Sequence, residues 1–239
     1  MPKSLLYRAL NAIEHRPRLY TAVNAIRRRF RPDPNDYLRS CSGVIHIGAN
    51  TGQERDTYAG YRLRVIWIEP LPAQFERLKQ NIKALPNQIA INGLITDRDD
   101  VSTILHVSNN DGLSSSILDL SLHRDIWPGV HYVGDIVVNS VRLQTAISRA
   151  GLEISSYDAL VMDTQGSELL ILRGLGAEIT NFKYVKTEAA DFESYKGCAT
   201  VSEISEFLIS SYGYRLLRKD RFAQRDAGGS YFDLLFGRN

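Results

Sequence analysis

Three acidic residues each close a short apolar run, and their type and spacing could do chemistry. Glu69 ends "VIWIE", Asp163 ends "ALVMD" and Glu188 ends "YVKTE". If these runs are strands of one sheet, the carboxylates stand at strand ends, where open α/β sheets bind ligands. Asp163 and Glu188 lie in consecutive runs. As a pair they could take the proton of an acceptor, or hold a divalent metal through oxygen. Equally, Asp163 could cap the next helix and Glu188 could orient a loop. Glu69 has a different setting, 21 residues after Gly48 of "GANTG" (48–52). Glycines let backbone approach a ligand, and an acid at that distance can accept hydrogen bonds from both hydroxyls of a ribose. The two features together predict a site for an adenosine-containing cofactor.

The glycine spacing narrows the choice of cofactor. A dinucleotide fingerprint needs G-x-G-x-x-G, whereas here the spacing is G-x-x-x-G and Asn50 stands where the second glycine would admit a pyrophosphate. No Y-x-x-x-K pair supports a short-chain reductase. A nucleotide without pyrophosphate fits better, and S-adenosylmethionine is the common one. The candidate cofactor residues are His46, Gly48, Asn50, Gly52, Glu69, Pro70 and Asp163. His46 lies inside its run and reads as a polar group satisfied beside the turn. Asn109, Ser115, Ser116 and His131 are candidates for the acceptor side. His106, His123 and His131 read as loop or surface residues, although His123 and His131 are also alternative bases. Glu168 is expected to reach back to a helix start, and Trp67 to be core.

The surrounding elements must position these residues. Strands are predicted at 43–47, 64–69, 88–94, 101–107, 135–141, 158–163, 182–189, 213–219 and 231–236. Helices are predicted at 52–60, 71–84, 142–150, 167–175 and 200–212. Strands alternating with helices predict βαβ units and a parallel sheet. The continuous apolar runs suit strands covered on both faces. The last two strands have only a loop between them, which predicts an antiparallel hairpin at one end of the sheet. Residues 108–134 lack periodicity, and an insertion of that length is usually functional or mobile.

The chain has 239 residues, 44% of them hydrophobic and 23% charged, ordinary values for a globular protein. Cys41 and Cys198 show no ligand or disulfide spacing, so no zinc site is indicated and a reducing, cytoplasmic setting is expected. No signal peptide is read, and no run reaches the roughly 20 apolar residues that span a bilayer. Residues 1–31 carry eight Lys or Arg against Glu14 alone. Their apolar residues recur at helical spacing on both sides of Pro17. Residues 1–40 therefore read as a basic helical extension that could touch the inner membrane surface or a partner, and 41–239 as the enzyme domain. Nucleic acid is not expected as a partner. No D/N-P-P-Y/F motif follows the run ending at Asp163, and the basic residues concentrate outside the core.

Several segments also carry a family resemblance. "VIHIGANTGQE", "VIWIEPLPAQFERLKQNI", "DGLSSSILD", "VNSVRLQTAI", "YDALVMDTQGSELLILRGL" and "YVKTEAADFESYKG" resemble, in order, the FkbM-type S-adenosylmethionine-dependent methyltransferases. The resemblance runs from about residue 41 to 237, and "DTQGSELLILRG" is its most specific stretch. It implies a class I methyltransferase fold, with a mostly parallel seven-stranded sheet. It also implies O-methylation of a hydroxyl, often on a sugar or natural product. Two positions depart from the family pattern. His46 stands where Asp is common, which changes the charge beside the cofactor. Gln165 replaces an acid in the D-x-E-G-x-E pattern. Two other functions stay open at this point. One is a cofactor-binding module without chemistry, serving as a partner in a biosynthetic complex. The other is an NAD-linked sugar-modifying enzyme, against which the missing glycine speaks.

Overall fold

The computed structural model describes residues 33–238. The basic segment 1–31, and with it the expected membrane or partner contact, lies outside the described residues. The chain divides into two units, Met1–Arg39 and Ser40–Asn239. In the first, the described residues include a 3₁₀ turn at Asp36–Ser40 that runs to the boundary.

The second unit is built on a seven-stranded sheet. Its strands are β1 (Gly43–Ile47), β2 (Arg64–Glu69), β3 (Gln88–Asn92), β7 (Ala159–Met162), β8 (Tyr184–Ala190), β9 (Arg215–Gln224) and β10 (Ser230–Gly237). They lie in the order β3-β2-β1-β7-β8-β10-β9. The first five in that order are parallel, and β10 runs antiparallel to both β8 and β9. This is the doubly wound sheet with a terminal hairpin that the sequence predicts. Strand order reverses between β1 and β7, so the edge beyond Ile47 and Met162 is the place for a ligand.

Five α-helices are described: α1 (Arg55–Gly60), α2 (Pro72–Ile82), α3 (Leu143–Arg149), α4 (Glu168–Leu175) and α5 (Val201–Glu206). A π turn at Phe207–Ser211 continues α5. Thr200 and Glu203 form a reciprocal capping box at the start of α5. β1 and β7 are buried along their whole length, as strands covered on both faces must be. Ile45, Ile66, Leu160, Leu172, Val185 and Ile204 are closed to solvent in the main core.

Two of the predicted strands belong elsewhere. The runs at 101–107 and 135–141 become β5 (Ser102–Ser108) and β6 (Tyr132–Val141), which pair with each other antiparallel. With β4 (Leu94–Ile95) they form a separate sheet of order β4-β6-β5. The outward faces explain the difference. Val137 is 70% exposed and Ile104 is 52% exposed, so these strands are covered on one side only. Gly93 splits the predicted 88–94 strand into β3 and β4. The predicted helix at 52–60 forms only from Arg55, because the turn at 48–52 continues to Glu54. β9 runs five residues further than predicted, leaving a loop of only 225–229 in the hairpin. Among the described residues, no helix is long and apolar enough to cross a membrane.

Candidate active site

The glycine turn answers first to the sheet. Gly48 has φ +79°, and a Cβ there would come within 1.8 Å of the Asp163 carbonyl oxygen. β1 and β7 therefore close on each other at this point, and only glycine fits both the dihedral and the space. Gly52 also has positive φ, with a Cβ position 2.7 Å from Leu78 on α2. It packs against that helix and does not line the clefts described below. Asn50, between the two glycines, is itself left-handed at φ 44°.

That turn presents backbone to Glu69. The Asn50 N–H donates to Glu69 Oε2 at 2.8 Å, and the Leu71 N–H donates to Oε1 at 2.8 Å. Glu69 is buried, and burial raises its carboxyl to about 7 while the Leu71 and Asn50 amides oppose the rise. A carboxylate offers about four acceptor positions, so two remain for a ligand. Glu69 lines a cleft of about 880 Å³ with His46, Gly48, Asn50, Pro70 and Asp163. Six of the seven predicted cofactor residues thus share one wall system. Leu71, Leu94, Ile95 and Leu113 supply an apolar side able to cover a base. The residues present fit an adenosine: a pre-set carboxylate for ribose hydroxyls, a cradle of tight backbone and an apolar slot.

His46 is held as a neutral ring. Its Nδ1 lies 3.1 Å from the Tyr58 hydroxyl, and its ring stacks on Trp67 at 5.0 Å. Burial lowers its pKa to about 4, with Glu54 opposing. Trp67 is fully buried, as predicted.

The β7–β8 side is arranged differently. Asp163 follows β7 directly, and its Oδ1 accepts a hydrogen bond from the Gln165 amide. Burial raises Asp163 to about 7; the Gln165 contact lowers it and Glu168 raises it further. Glu188 lies within β8 near its end, and its carboxylate has no hydrogen-bond or ion-pair partner among the described residues, although its carbonyl accepts from Thr187 Oγ1. Burial is the main cause of its rise to about 9, followed by Asp163 and Asp233. Asp163 and Glu188 line one crevice with Gln165. Among the described residues, no three His, Cys, Asp or Glu side chains gather so as to hold a metal.

Glu168 staples the loop between them. Its carboxylate accepts from the Thr164 N–H at 2.9 Å and from the Gly166 N–H at 3.1 Å. This strap holds Gln165, at φ 54°, in the left-handed region. The Gln165 side chain then reaches both ways, donating to Asp163 and accepting from the Tyr195 hydroxyl.

The predicted acceptor residues divide. Ser115 and Ser116 line the large cleft beside the cofactor residues. Ser116 Oγ donates to the Gln165 carbonyl at 2.7 Å. Asn109 and His131 fasten the insertion instead. The His131 N–H donates to Asn109 Oδ1 at 3.1 Å, Asn109 Nδ2 donates to the Gly129 carbonyl, and neither residue lines a described cleft. Short polar residues in a loop are as able to tie the loop as to bind a ligand, and here they tie it. His123 also departs from expectation. It is 4% exposed, close to Tyr231 and Ser114.

Several cleft residues escaped the sequence reading. Gln53 and Glu54 continue the glycine turn into the large cleft. Trp127, Phe222 and Tyr231 line a further cleft with Glu188. Trp127 carried a usable signal, a large aromatic inside an irregular insertion. Tyr231 and Phe222 carried none, because aromatic residues in a hairpin are ordinary strand composition.

Comparisons with known proteins agree with this geometry. Residues 46–216 match the model of the methyltransferase FkbM domain. The chain is 30% identical over 175 residues to the 2-O-methyltransferase NoeI of Sinorhizobium fredii, covering 70% of this chain and 71% of that protein. Among solved structures, Sp1610 of Streptococcus pneumoniae, a putative tRNA (m1A22) methyltransferase, is 9% identical. That match covers 88% of this chain and 71% of the other, with a TM-score of 0.44. Aeropyrum pernix fibrillarin, solved with natively bound S-adenosyl-L-methionine, is 14% identical, with 81% and 66% covered and a TM-score of 0.43. From the family match and the NoeI relative, this chain belongs to the FkbM family of methyltransferases.

Proposed function

We propose that the chain is an S-adenosylmethionine-dependent O-methyltransferase acting on a hydroxyl of a sugar, borne by a glycan, glycolipid or glycosylated metabolite. The observation that carries this is Glu188. An acid without a partner, next to Asp163 and across Gln165 from the cofactor residues, is placed to receive a proton. The NoeI relative, named for methylation at an oxygen, supports the same reading.

S-adenosylmethionine supplies a methyl group on positively charged sulfur, and the S–C bonding pair returns to sulfur as the methyl leaves. In this chain Glu69 accepts from the ribose hydroxyls, and the 48–52 turn holds Glu69 through the Asn50 amide. Glu188 takes the proton of the acceptor hydroxyl while its oxygen forms the new C–O bond. Asp163 stands beside that exchange and is oriented by Gln165. His46, neutral and buried, adds no charge next to the cofactor.

The test is turnover. Purified protein is incubated with S-adenosylmethionine and panels of glycosides, phenols, amines and carboxylic acids, and S-adenosylhomocysteine release and product mass are followed. A gain of one methyl on glycoside hydroxyls is expected. Methylation confined to nitrogen or carboxylate acceptors would overturn the reading.

A further inference from the structure

We propose that the cleft bounded by Trp127, Phe222, Tyr231 and Glu188 is the acceptor subsite, stacking the C–H face of a neutral pyranose on its aromatic wall and holding a ring hydroxyl at Glu188. The proposal rests on the sugar O-methylation reading and adds where the sugar sits and what selects it.

The cleft spans about 510 Å³ of empty space and opens to solvent. It is assembled from five separate parts of the chain, Gln165 coming from the loop after β7. Trp127 comes from the insertion, Phe222 from β9, Tyr231 from β10 and Glu188 from β8. Trp127 and Tyr231 meet at 5.2 Å between centroids with 60° between planes, and Phe222 lies 5.7 Å from Tyr231 at 35°. Phe222 is 45% exposed, which leaves aromatic surface open at the mouth of the cleft. Aromatic rings contribute large contact areas with little ordering cost, and their faces suit C–H groups.

Tyr231 is held by His123, which lines the same cleft. His123 Nδ1 lies 2.7 Å from its hydroxyl, and His123 Nε2 lies 3.3 Å from Ser114 Oγ. Asn110 Nδ2 donates to that same serine oxygen at 2.9 Å. His123 is therefore a positioning residue, which keeps the aromatic wall upright. Its burial lowers its pKa to about 4, so the ring stays uncharged at neutral pH.

The polar side decides the ligand class. Asn110, Ser114, His123, Gln165 and Glu188 line the cleft, and among the described residues no lysine or arginine does. For a phosphorylated or carboxylated acceptor, the described lining offers no cation. A neutral ring bearing hydroxyls around its edge matches several hydrogen-bonding groups opposite an aromatic wall. Asn110, Ser114 and Gln165 already hydrogen-bond to neighbours, which leaves the Glu188 carboxylate as the polar group without a side-chain partner at the cleft.

The experiment combines binding and kinetics on the full chain. Saturation-transfer NMR with methyl glycosides of glucose, galactose and mannose reports contact without turnover. Protons of one sugar face should be the most strongly saturated, and Phe222→Ala should abolish that pattern. In steady state, Phe222→Ala and Trp127→Leu should each raise the glycoside KM at least about tenfold, with kcat and cofactor Kd held. Phe222 is surface-exposed, so its variant keeps the test valid if the Trp127 variant folds poorly. Methylated glycosides with KM unchanged in Phe222→Ala would overturn the subsite and leave the sugar reading standing. Phenols methylated with no glycoside bound or methylated would overturn both.

Discussion

The two sides of the sheet edge hold their carboxylates in opposite ways. On the β1–β2 side, each oxygen of Glu69 accepts a backbone N–H, so the acid is placed before any ligand arrives. On the β7–β8 side, Asp163 is tied by one side chain and Glu188 by none. A fixed acid suits a group that must be bound in one pose. An unpaired acid suits a group whose charge must change during the reaction. The difference also has an energetic side, since a buried charge without a partner destabilises the fold that holds it.

The sharpest way to break this comparison is Glu188→Gln. Removing a positioned base lowers turnover by about 10²–10⁴-fold. Cofactor affinity, measured by calorimetry, should hold. Retained turnover would transfer the base to Asp163, and Asp163→Asn would then show the same loss.

Glu69→Gln should have the converse signature. The amide keeps one acceptor oxygen and loses the charge, so S-adenosylmethionine binding should weaken by about 1–3 kcal/mol. An unchanged Kd with an intact fold would remove Glu69 from the ribose site. Alanine is the poorer choice, because it strands both the Asn50 and the Leu71 amides where glutamine strands one.

The pH dependence should separate the two sides. Glu69 titrates near 7 in the free protein, and its ionised form is the better acceptor for ribose hydroxyls. Cofactor affinity should therefore fall as pH drops below about 7, and Glu69→Gln should flatten that fall. Turnover at saturating cofactor should keep rising toward about 9, the range in which Glu188 ionises.

The smallest effect is on stability. Glu188 is raised in the folded state, so folding favours its protonated form. Its contribution is fully present below about 4.5 and is lost as pH rises toward 9. At pH 8, Glu188→Gln should melt higher than the unsubstituted protein, by about 2–4 °C for each kcal/mol relieved. The gap should close near pH 4.5. A variant that melts lower at both pH values would mean that Glu188 has a stabilising partner.

The local signals in the sequence carried the Glu69 side of the cleft. The turn at 48–52, Glu69 and the strand runs are contiguous features, and their spacing is set by one strand–helix–strand unit. Such a unit has few ways to close, so pattern alone places Glu69 beside Gly48. The helix strap from Glu168 was legible for the same reason, since the groups it joins lie within four residues.

The acceptor half was decided in three dimensions. Asn109 and His131 looked equal to Ser115 in the sequence, yet they fasten the insertion while Ser115 lines the cleft. Trp127, Glu188, Phe222 and Tyr231 are spread over about a hundred residues and meet only because β10 inserts between β8 and β9. Sequence by itself therefore determined the parallel strands, most of the helices and the acid that the glycine turn holds, because local periodicity and short-range closure encode them. Only the tertiary structure decided which carboxylate is left without a partner and which rings surround it. Burial and pairing depend on chain segments brought together from a distance, and no local pattern records them.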